Sequence, residues 1–499
     1  MDKGLAELKE RLMEMSDLGG AASVLSWDQM TYMPPGGAAA RARQMTRLQK
    51  MAFERMVDPG LGKLLKSLRL LEKKLDYESD DASLIRRTKI QYDLVTKIPT
   101  EFAEKLFKHG AESYEAWVKA RPKNDFKAVA PYLEKTFDYM RQYSDFYPGY
   151  DHVMDPLVNM YDYGLKTKKV KGIFKELRSE LVPLIKKIAD CEQVDDSCIS
   201  GKFPEGLQKT FGEAVAAKLG YDFKRGRLDK TPHPFTTSFS IGDVRITTRY
   251  NEKLLAESLF STIHETGHAL YEQGSDPKLE GLLSGGAATG IHESQSRLWE
   301  NIVGRSRGFW NHFYPELRKT FPSQFKGVSL DEFYKAINKV TPSLIRTEAD
   351  EVTYNIHPMI RFDLETALME ETLTVKELPG AWNGRYESDL GMTPPDYSAG
   401  VMQDVHWYHT LVGYFQGYTL GTIMSAQFYD KAVKAKPSIP KEIERGKFKT
   451  LHGWLNEGIY RHGSKFTTEE LLKRNNIKAI EVEPFAKYLK KKYGEIYGF

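Results

Sequence analysis

The residues best suited to chemistry are His264, Glu265 and His268, which form the sequence His-Glu-Thr-Gly-His. Apolar residues recur at helical spacing from Glu252 to Gln273, so the motif is predicted to lie on an amphipathic helix. Two imidazoles one helical turn apart share a face and can bind one zinc ion, and the glutamate between them can act on a water molecule at the metal. The motif therefore predicts metal-dependent hydrolysis of peptides.

Gly267 lies inside this predicted helix, where a glycine costs about 1 kcal/mol relative to alanine. One interpretation is that a side chain at this position would obstruct the substrate or a neighbouring backbone. The other is that glycine allows close packing between helices. Both interpretations remain open from the residues alone.

A catalytic zinc ion needs a third protein ligand, and His292 and Glu293 are the two candidates. They follow a glycine-rich loop, Gly274–Gly290, and the apolar periodicity that resumes after them predicts a second helix packed beside the first. Neighbours on a helix point about 100° apart, so only one of the two can face the metal. Glu293 is the expected ligand, because a glutamate at this separation is common in zinc peptidases. His292 is then expected to line the site and contact substrate.

The charge of the chain is nearly balanced, with 72 basic and 68 acidic residues and a net charge of +4. This balance argues against nucleic acid or a membrane surface as the main partner. The lysine-rich runs Lys166–Lys171 and Lys487–Lys492 are interpreted as solvated helix faces. The sequence has neither a secretory signal pattern nor an apolar run long enough to cross a bilayer, so a cytoplasmic location is expected.

Helical periodicity extends over most of the chain, and no linker, low-complexity tract or repeat divides it. We therefore expect a mostly α fold, with one large helical domain over residues 1–499 that can be cleft into two lobes. The two cysteines, Cys191 and Cys198, form either a local disulfide or two free thiols. Long helices are predicted at 4–16, 37–57, 61–75, 79–95, 100–120 and 123–145.

One segment departs from the helical pattern. Phe235–Tyr250 is rich in β-branched and aromatic residues and has Gly242-Asp243 at its centre, which predicts a β-hairpin directly before the metal-binding helix. An edge strand there can pair with an extended peptide. The alternative is a structural hairpin that only covers the helix.

The second half of the chain contains further polar residues. Arg346 opens a stretch that is predicted to be helical, and its planar guanidinium can bind both oxygens of a carboxylate. The residues alone favour a salt bridge to Asp350, four positions later. Further on, the segment Gly380–Ser398 is predicted to be a loop, because it is rich in proline, glycine and aspartate.

His406 and the tyrosines at 414 and 418 follow that loop. A histidine and a tyrosine near the reacting carbonyl can stabilise an oxyanion. One continuous helix would separate His406 and Tyr418 by about 18 Å, so His406 must precede the helix if the two act together. The alternative for Tyr414 and Tyr418, which the residues alone favour, is an aromatic stripe in the core.

These blocks together resemble the carboxypeptidase Taq family of metallocarboxypeptidases. The resemblance extends over nearly the whole chain, with its blocks in the order typical of the family. They are Trp27–Gly37, Asp243–Thr247, His264–His268, His292–Gln295, Ile345–Asp350 and Gly400–Trp407.

The resemblance implies a largely helical fold with a long, deep substrate groove, a homodimer, and a zinc site that is often active with cobalt. It implies release of single amino acids from the C-terminus of peptides, with broad specificity, through a water molecule that the metal activates. The implied metal ligands are His264, His268 and Glu293, and the implied base is Glu265.

The resemblance also assigns residues that act on the substrate. Arg346 becomes the anchor for the terminal carboxylate, which reverses the preference drawn from the residues alone. His406 and Tyr418 become transition-state donors, with Tyr414 as the substitute if the helix has a different phase. Further substrate-binding residues are His292, Asp243 and Arg245.

Two positions depart from the family pattern. Met30 stands where an acidic residue is expected, which puts a polar role of that position in doubt. Pro358 interrupts what is predicted to be a continuous helix, so a kink is expected there.

Two alternative functions are compatible with the motifs. One is a zinc oligopeptidase or dipeptidyl carboxypeptidase on a similar helical scaffold. The other is a non-catalytic helical protein that binds peptides, although binding alone does not require the base Glu265.

Overall fold

The computed structural model describes residues 2–499, and 66% of the chain is helical, with one small sheet. The expected mostly α fold is therefore confirmed. The first ten helices are α1 (Lys3–Thr31), α2 (Ala38–Met56), α3 (Pro59–Lys74), α4 (Asp80–Val95), α5 (Thr100–Ala120), α6 (Phe126–Asp145), α7 (Asp155–Tyr161), α8 (Thr167–Ala189), α9 (Glu205–Leu219) and α10 (Leu255–Gln273). The others are α11 (Thr289–Arg297), α12 (Arg307–Thr320), α13 (Leu330–Ala336), α14 (Ile356–Met369), α15 (Leu378–Leu390), α16 (Gln416–Ala435), α17 (Ile439–Glu444), α18 (Lys449–Gly458), α19 (Thr468–Arg474) and α20 (Glu483–Tyr497).

The N-terminal helices begin where polar side chains can satisfy free backbone N–H groups. Asp2 accepts from the N–H of Leu5 at the start of α1, and Ser79 accepts from Ala82 at the start of α4. The six predicted helices in this region are all present, although α1 continues to Thr31, well beyond its predicted end. Between residues 2 and 499, no helix is both long enough and apolar enough to span a membrane.

The predicted hairpin is confirmed as β2 (Thr236–Ser240) and β3 (Asp243–Thr248), which pair antiparallel. A third strand, β1 (Leu228–Lys230), pairs parallel with β3 and was not predicted. The strand order β1-β3-β2 leaves β2 at an edge of the sheet. Helix α1 packs against this sheet, where the Trp27 ring lies 4.3 Å from the guanidinium carbon of Arg245.

The buried apolar residues form a large cluster that extends from α5 to α20 and a smaller one near the N-terminus. The smaller cluster joins α1, α3 and α4 to Leu279 and Leu283, in the loop after α10. The division of the chain into lobes remains a prediction. In the described part of the chain no disulfide joins Cys191 and Cys198, and both are free thiols.

Three local predictions in the second half are wrong. The stretch that Arg346 opens is a single 3-10 turn, Arg346–Glu348, and the helix α14 begins only at Ile356. Pro358 therefore lies in the first turn of α14, where its missing N–H costs nothing and no kink is needed. The predicted loop Gly380–Ser398 is helical as far as Leu390.

The interpretation of Lys487–Lys492 as a solvated face is wrong for its last residue. Lys492 is 7% exposed, and its Nζ donates to Glu351 Oε2 at 2.6 Å. Tyr488 and Tyr493 also donate to the Glu351 carboxylate, at 2.8 and 2.9 Å. This network fastens the irregular segment that follows Arg346 to α20.

The substitution Lys492→Met tests this network. It should lower the free energy of unfolding by about 3–5 kcal/mol, because it leaves the buried carboxylate of Glu351 without its cation. The measurement is urea unfolding of the full chain.

The matched control is Lys491→Met, since Lys491 is the exposed neighbour on the same helix. It should stay within about 0.5 kcal/mol of the parent protein. Equal effects of the two substitutions would contradict a structural role for the Lys492–Glu351 pair.

Candidate metal centre and active site

His264, His268 and Glu293 come together at the crossing of α10 and α11. One possible ligand atom from each lies within 4.8 Å of the others. Glu293 Oε2 is 3.7 Å from His264 Nε2 and 3.4 Å from His268 Nε2. Ligand atoms about 2.1 Å from a tetrahedral zinc ion are about 3.4 Å apart, so this donor set fits one such ion.

Both imidazoles have the opposite ring nitrogen engaged. His264 Nδ1 donates to Glu300 Oε2 at 2.8 Å, and His268 Nδ1 lies 2.6 Å from His292 Nδ1. His264 therefore carries its lone pair on Nε2, and the Nε2 atoms of both histidines face the space next to Glu293. His292 lines the cavity as expected, and its Nε2 also contacts Glu272 Oε1 at 2.7 Å.

The Glu293 carboxylate is buried, and positive charge compensates it. Arg297 Nε donates to Oε1 at 2.7 Å, and the Ser296 hydroxyl donates to Oε2 at 2.9 Å. Burial opposes ionisation, but the charges of Arg297 and His264 outweigh it and hold the pKa of Glu293 well below its ordinary value. Arg297, one helical turn after Glu293, therefore holds this carboxylate in place.

Two glycines bring the backbones of three helices close together at this point. A Cβ atom at Gly267 would lie 2.6 Å from the Cα of Ser296, so this glycine serves close packing of α10 against α11. A Cβ atom at Gly421 of α16 would lie 2.7 Å from the Cβ of Glu293. The position of the third candidate ligand is thus fixed by main-chain packing on both sides.

Glu265 is buried between the sheet and the candidate ligands. The hydroxyl of Thr236, on the edge strand β2, lies 2.7 Å from Glu265 Oε2. Burial raises the pKa of Glu265, while the charge of His264 and the Thr236 hydrogen bond oppose the shift. A carboxylate with a raised pKa is suited to accept and return a proton.

A cavity of about 600 Å³ opens beside these groups. Thr236, Glu265, Tyr414 and Tyr418 all contribute to its walls. Tyr161 does so as well, with its ring centroid 5.0 Å from that of Tyr414 in an edge-to-face arrangement. Both tyrosines singled out from the sequence therefore border the cavity.

His406 lies in a 3-10 turn, His406–His409, before α16, as its pairing with Tyr418 requires. Its Nε2 is 3.3 Å from the Tyr418 hydroxyl. Burial and the nearby charge of Arg346 lower the pKa of His406 to about 3, so the imidazole is neutral at pH 7. In the described chain His406 is not among the residues that line the cavity, and it reaches the cavity through Tyr418.

A buried glutamate on α14 holds the loop between His406 and Tyr414. Glu365 accepts from the Trp407 indole at 2.6 Å and from the Gly413 backbone at 3.1 Å. Its two oxygens thus join the start and the end of the loop.

Arg346 is buried and pairs with Asp404 rather than with Asp350. Its Nε and Nη2 donate to the two carboxylate oxygens of Asp404 at 2.9 and 3.1 Å, and its Nη1 donates to the Tyr354 hydroxyl at 3.0 Å. Arg361 also contacts Asp404, at 2.6 Å. The guanidinium carbon of Arg346 lies 5.0 Å from the ring centroid of Tyr418, which separates it from the cavity.

Asp243 and Arg245 form a bidentate pair at 2.9 and 2.8 Å on β3. The Arg245 guanidinium carbon lies between Trp27, at 4.3 Å, and Phe239, at 4.8 Å. Within residues 2–499 neither member of the pair lines the cavity, and both join the sheet to α1.

The polar residues of the site that had no predicted role include Thr236, Glu272, Glu300 and Asp404. Two of them carried a signal in their spacing. Glu272 continues the face of α10 that bears His264 and His268, and Glu300 follows Glu293 at helical intervals. Thr236 and Asp404 come from other segments, and spacing along the chain gives no sign of them.

The helical fold and the His-His-Glu donor set point to a metallopeptidase, and the comparisons with known proteins specify the class further. Residues 7–493 match the family described as carboxypeptidase Taq (M32) metallopeptidase. The chain belongs to this family, and it is accordingly a metallocarboxypeptidase.

Individual relatives cover the whole chain. The chain is 38% identical to thermostable carboxypeptidase 1 of Thermus thermophilus, over 99% of both chains. It is 36% identical to carboxypeptidase 1 of Bacillus subtilis, over 98% of both chains. A crystal structure of an M32 carboxypeptidase from Deinococcus radiodurans R1 matches over 100% of both chains, with 43% identity and a TM-score of 0.97. The resemblance found in the sequence is confirmed.

The substitution Gly421→Ala tests the packing that positions Glu293. It should weaken metal binding by about tenfold or more, because the added methyl group must displace the glutamate side chain or separate α11 from α16. The measurement is the metal dissociation constant by competition with a coloured chelator.

Gly453→Ala is the control, since a Cβ atom at this position of α18 meets nothing within 4 Å. It should leave metal affinity unchanged and raise stability by up to about 1 kcal/mol through helix propensity. Unchanged metal affinity in Gly421→Ala would show that the crossing does not set the position of Glu293.

Proposed function

We propose that the protein releases single amino acids from the C-terminus of peptides, with broad side-chain tolerance, at a zinc ion held by His264, His268 and Glu293. The observation that carries the proposal is the convergence of these three donors beside the buried Glu265, at the wall of one cavity. Zinc is the metal that best suits two imidazoles and one carboxylate in tetrahedral geometry, and cobalt can replace it.

Zinc in this position would supply Lewis acidity, which polarises the scissile carbonyl and makes water more acidic. Glu265 takes the proton from the attacking water and passes it to the leaving amine. Its buried position next to the Thr236 hydroxyl supports this role, because the carboxylate is held on the cavity wall and its raised pKa favours proton return.

The Tyr418 hydroxyl donates a hydrogen bond to the oxyanion of the tetrahedral intermediate. Tyr418 borders the cavity, and burial raises the pKa of its hydroxyl, so the hydroxyl remains a hydrogen-bond donor at neutral pH. His406 supports it as a neutral imidazole within 3.3 Å. Tyr414, with its ring centroid 5.4 Å from that of Tyr418, contributes to the wall that receives the substrate.

Arg346 anchors the terminal carboxylate of the substrate after the ring of Tyr418, which separates the guanidinium from the cavity, turns aside. A guanidinium has five N–H donors, and Asp404 and Tyr354 use three of them. One N–H on each terminal nitrogen remains, and such a pair suits a carboxylate. Arg361 adds a second positive charge at Asp404, so the cluster keeps a net positive charge for an incoming anion.

The walls of the cavity support broad tolerance for side chains. Met160, Tyr161 and Phe235 give it apolar surface, and the edge strand β2 can pair with the peptide backbone. Asp243 and Arg245 would contact only those substrate residues that extend beyond this cavity. Homodimer formation remains a prediction from the resemblance, and a cytoplasmic location remains a prediction from the sequence.

The substitution Glu265→Gln tests the role of the base. It should retain bound metal and lose hydrolysis by a factor of about 10² to 10⁴, because an amide cannot accept the proton of water. Metal content and release of free amino acids are measured on the same preparation. Full activity in this variant would refute the mechanism.

A second test addresses the carboxylate anchor. A peptide with a free C-terminus should be cleaved one residue at a time, and its C-terminally amidated form should resist. Arg346→Lys should lower kcat/KM for the free peptide by about 10- to 100-fold, since a point charge cannot provide the paired N–H donors.

The control is Arg178→Lys, because Arg178 pairs with Asp363 and Asp389 away from the cavity. It should leave kcat/KM unchanged. Internal cleavage that ignores the amide would instead favour an oligopeptidase.

A further inference from the structure

The two histidines of the metal centre are oriented by different kinds of partner. His264 donates directly to the carboxylate of Glu300. His268 has no carboxylate at its Nδ1, and the ring of His292 occupies that position at 2.6 Å. The far nitrogen of His292 then contacts Glu272 Oε1 at 2.7 Å, on the same helix as His268.

We propose that Glu272 and His292 are positioning residues that set the tautomer of His268 through a directed chain of hydrogen bonds and so tune metal affinity. This inference rests on the proposed metal site and adds two residues to it.

The direction of the chain follows from what each group can donate. An ionised carboxylate only accepts, so Glu272 requires the proton of His292 to be on Nε2. A neutral imidazole has one N–H, so His292 Nδ1 is then an acceptor. It can only receive the Nδ1 proton of His268, which leaves the lone pair of His268 on Nε2, on the side of Glu293.

The surroundings keep this chain in place. Burial opposes ionisation of Glu272, but its hydrogen bond with His292 outweighs burial and keeps its pKa below the ordinary value. The ring of Tyr271 lies 5.1 Å from that of His292, and a Cβ atom at Gly286 would lie 2.3 Å from His292 Cδ2. The imidazole is thus enclosed by a ring on one side and by the main chain at Gly286.

The test uses His292→Phe and Glu272→Met in the full chain, with zinc dissociation constants measured by chelator competition. His292→Phe keeps the ring but removes both hydrogen bonds, and it should raise the dissociation constant by about 10- to 100-fold. Glu272→Met should raise it by a smaller factor. If the two residues act in one chain, the double variant binds zinc no more weakly than His292→Phe alone.

The control is His452→Phe. His452 packs on Tyr460 and takes no part in the hydrogen-bond chain from Glu272 to His268. It should leave zinc affinity unchanged, and the melting temperatures of the metal-free variants should match that of the parent. Additive effects of the two substitutions, or unchanged zinc affinity in His292→Phe, would overturn the inference. If the variant His264→Ala still binds zinc as tightly as the parent protein, the proposed metal site is wrong.

Discussion

A buried carboxylate can reach the space between two imidazoles here only because three helices approach one another at backbone contact distance. Glu293 lies on α11, and α10 and α16 press against that helix from two directions. Both contacts are made at glycine, at Gly267 and at Gly421, where a methyl group would overlap a neighbour. The donor geometry therefore depends on main-chain packing. Packed main chain shifts much less in response to a change than a flexible side chain does.

Such a packed site can hold ionised groups only if each charge has a partner, because removing charges from water is costly. Around the candidate ligands the signs alternate, from Glu293 to Arg297 to Glu300. On the far side of Tyr418 the carboxylate of Asp404 lies between two arginines. Replacing one charged side chain of such a row leaves its neighbour buried without a partner of opposite charge. The charge pairs therefore hold these side chains in fixed positions.

Local pattern is sufficient to predict the N-terminal helices, the hairpin and the helix that carries His264 and His268, because each depends on residues within a few turns of chain. Whether a polar side chain is buried cannot be predicted in this way, since it depends on which distant part of the chain packs against it. Lys492 belongs to a run that looks solvated, and only the distant Glu351 explains why it is inside. In the same way Arg346 could be assigned a carboxylate partner from its chemistry, but the choice of Asp404 over Asp350 arises from the fold.

Tyr354 connects the two ends of the proposed reaction. The guanidinium of Arg297, which holds Glu293, lies 4.0 Å from the centre of its ring, and its hydroxyl accepts from Arg346. One side chain therefore sets the spacing between a metal ligand and the proposed anchor. If Arg346 holds the terminal carboxylate, only the bond at a fixed distance from that carboxylate can reach the metal. Exopeptidase selectivity then follows from a rigid distance between two buried arginines, and the cavity wall need not recognise any particular side chain.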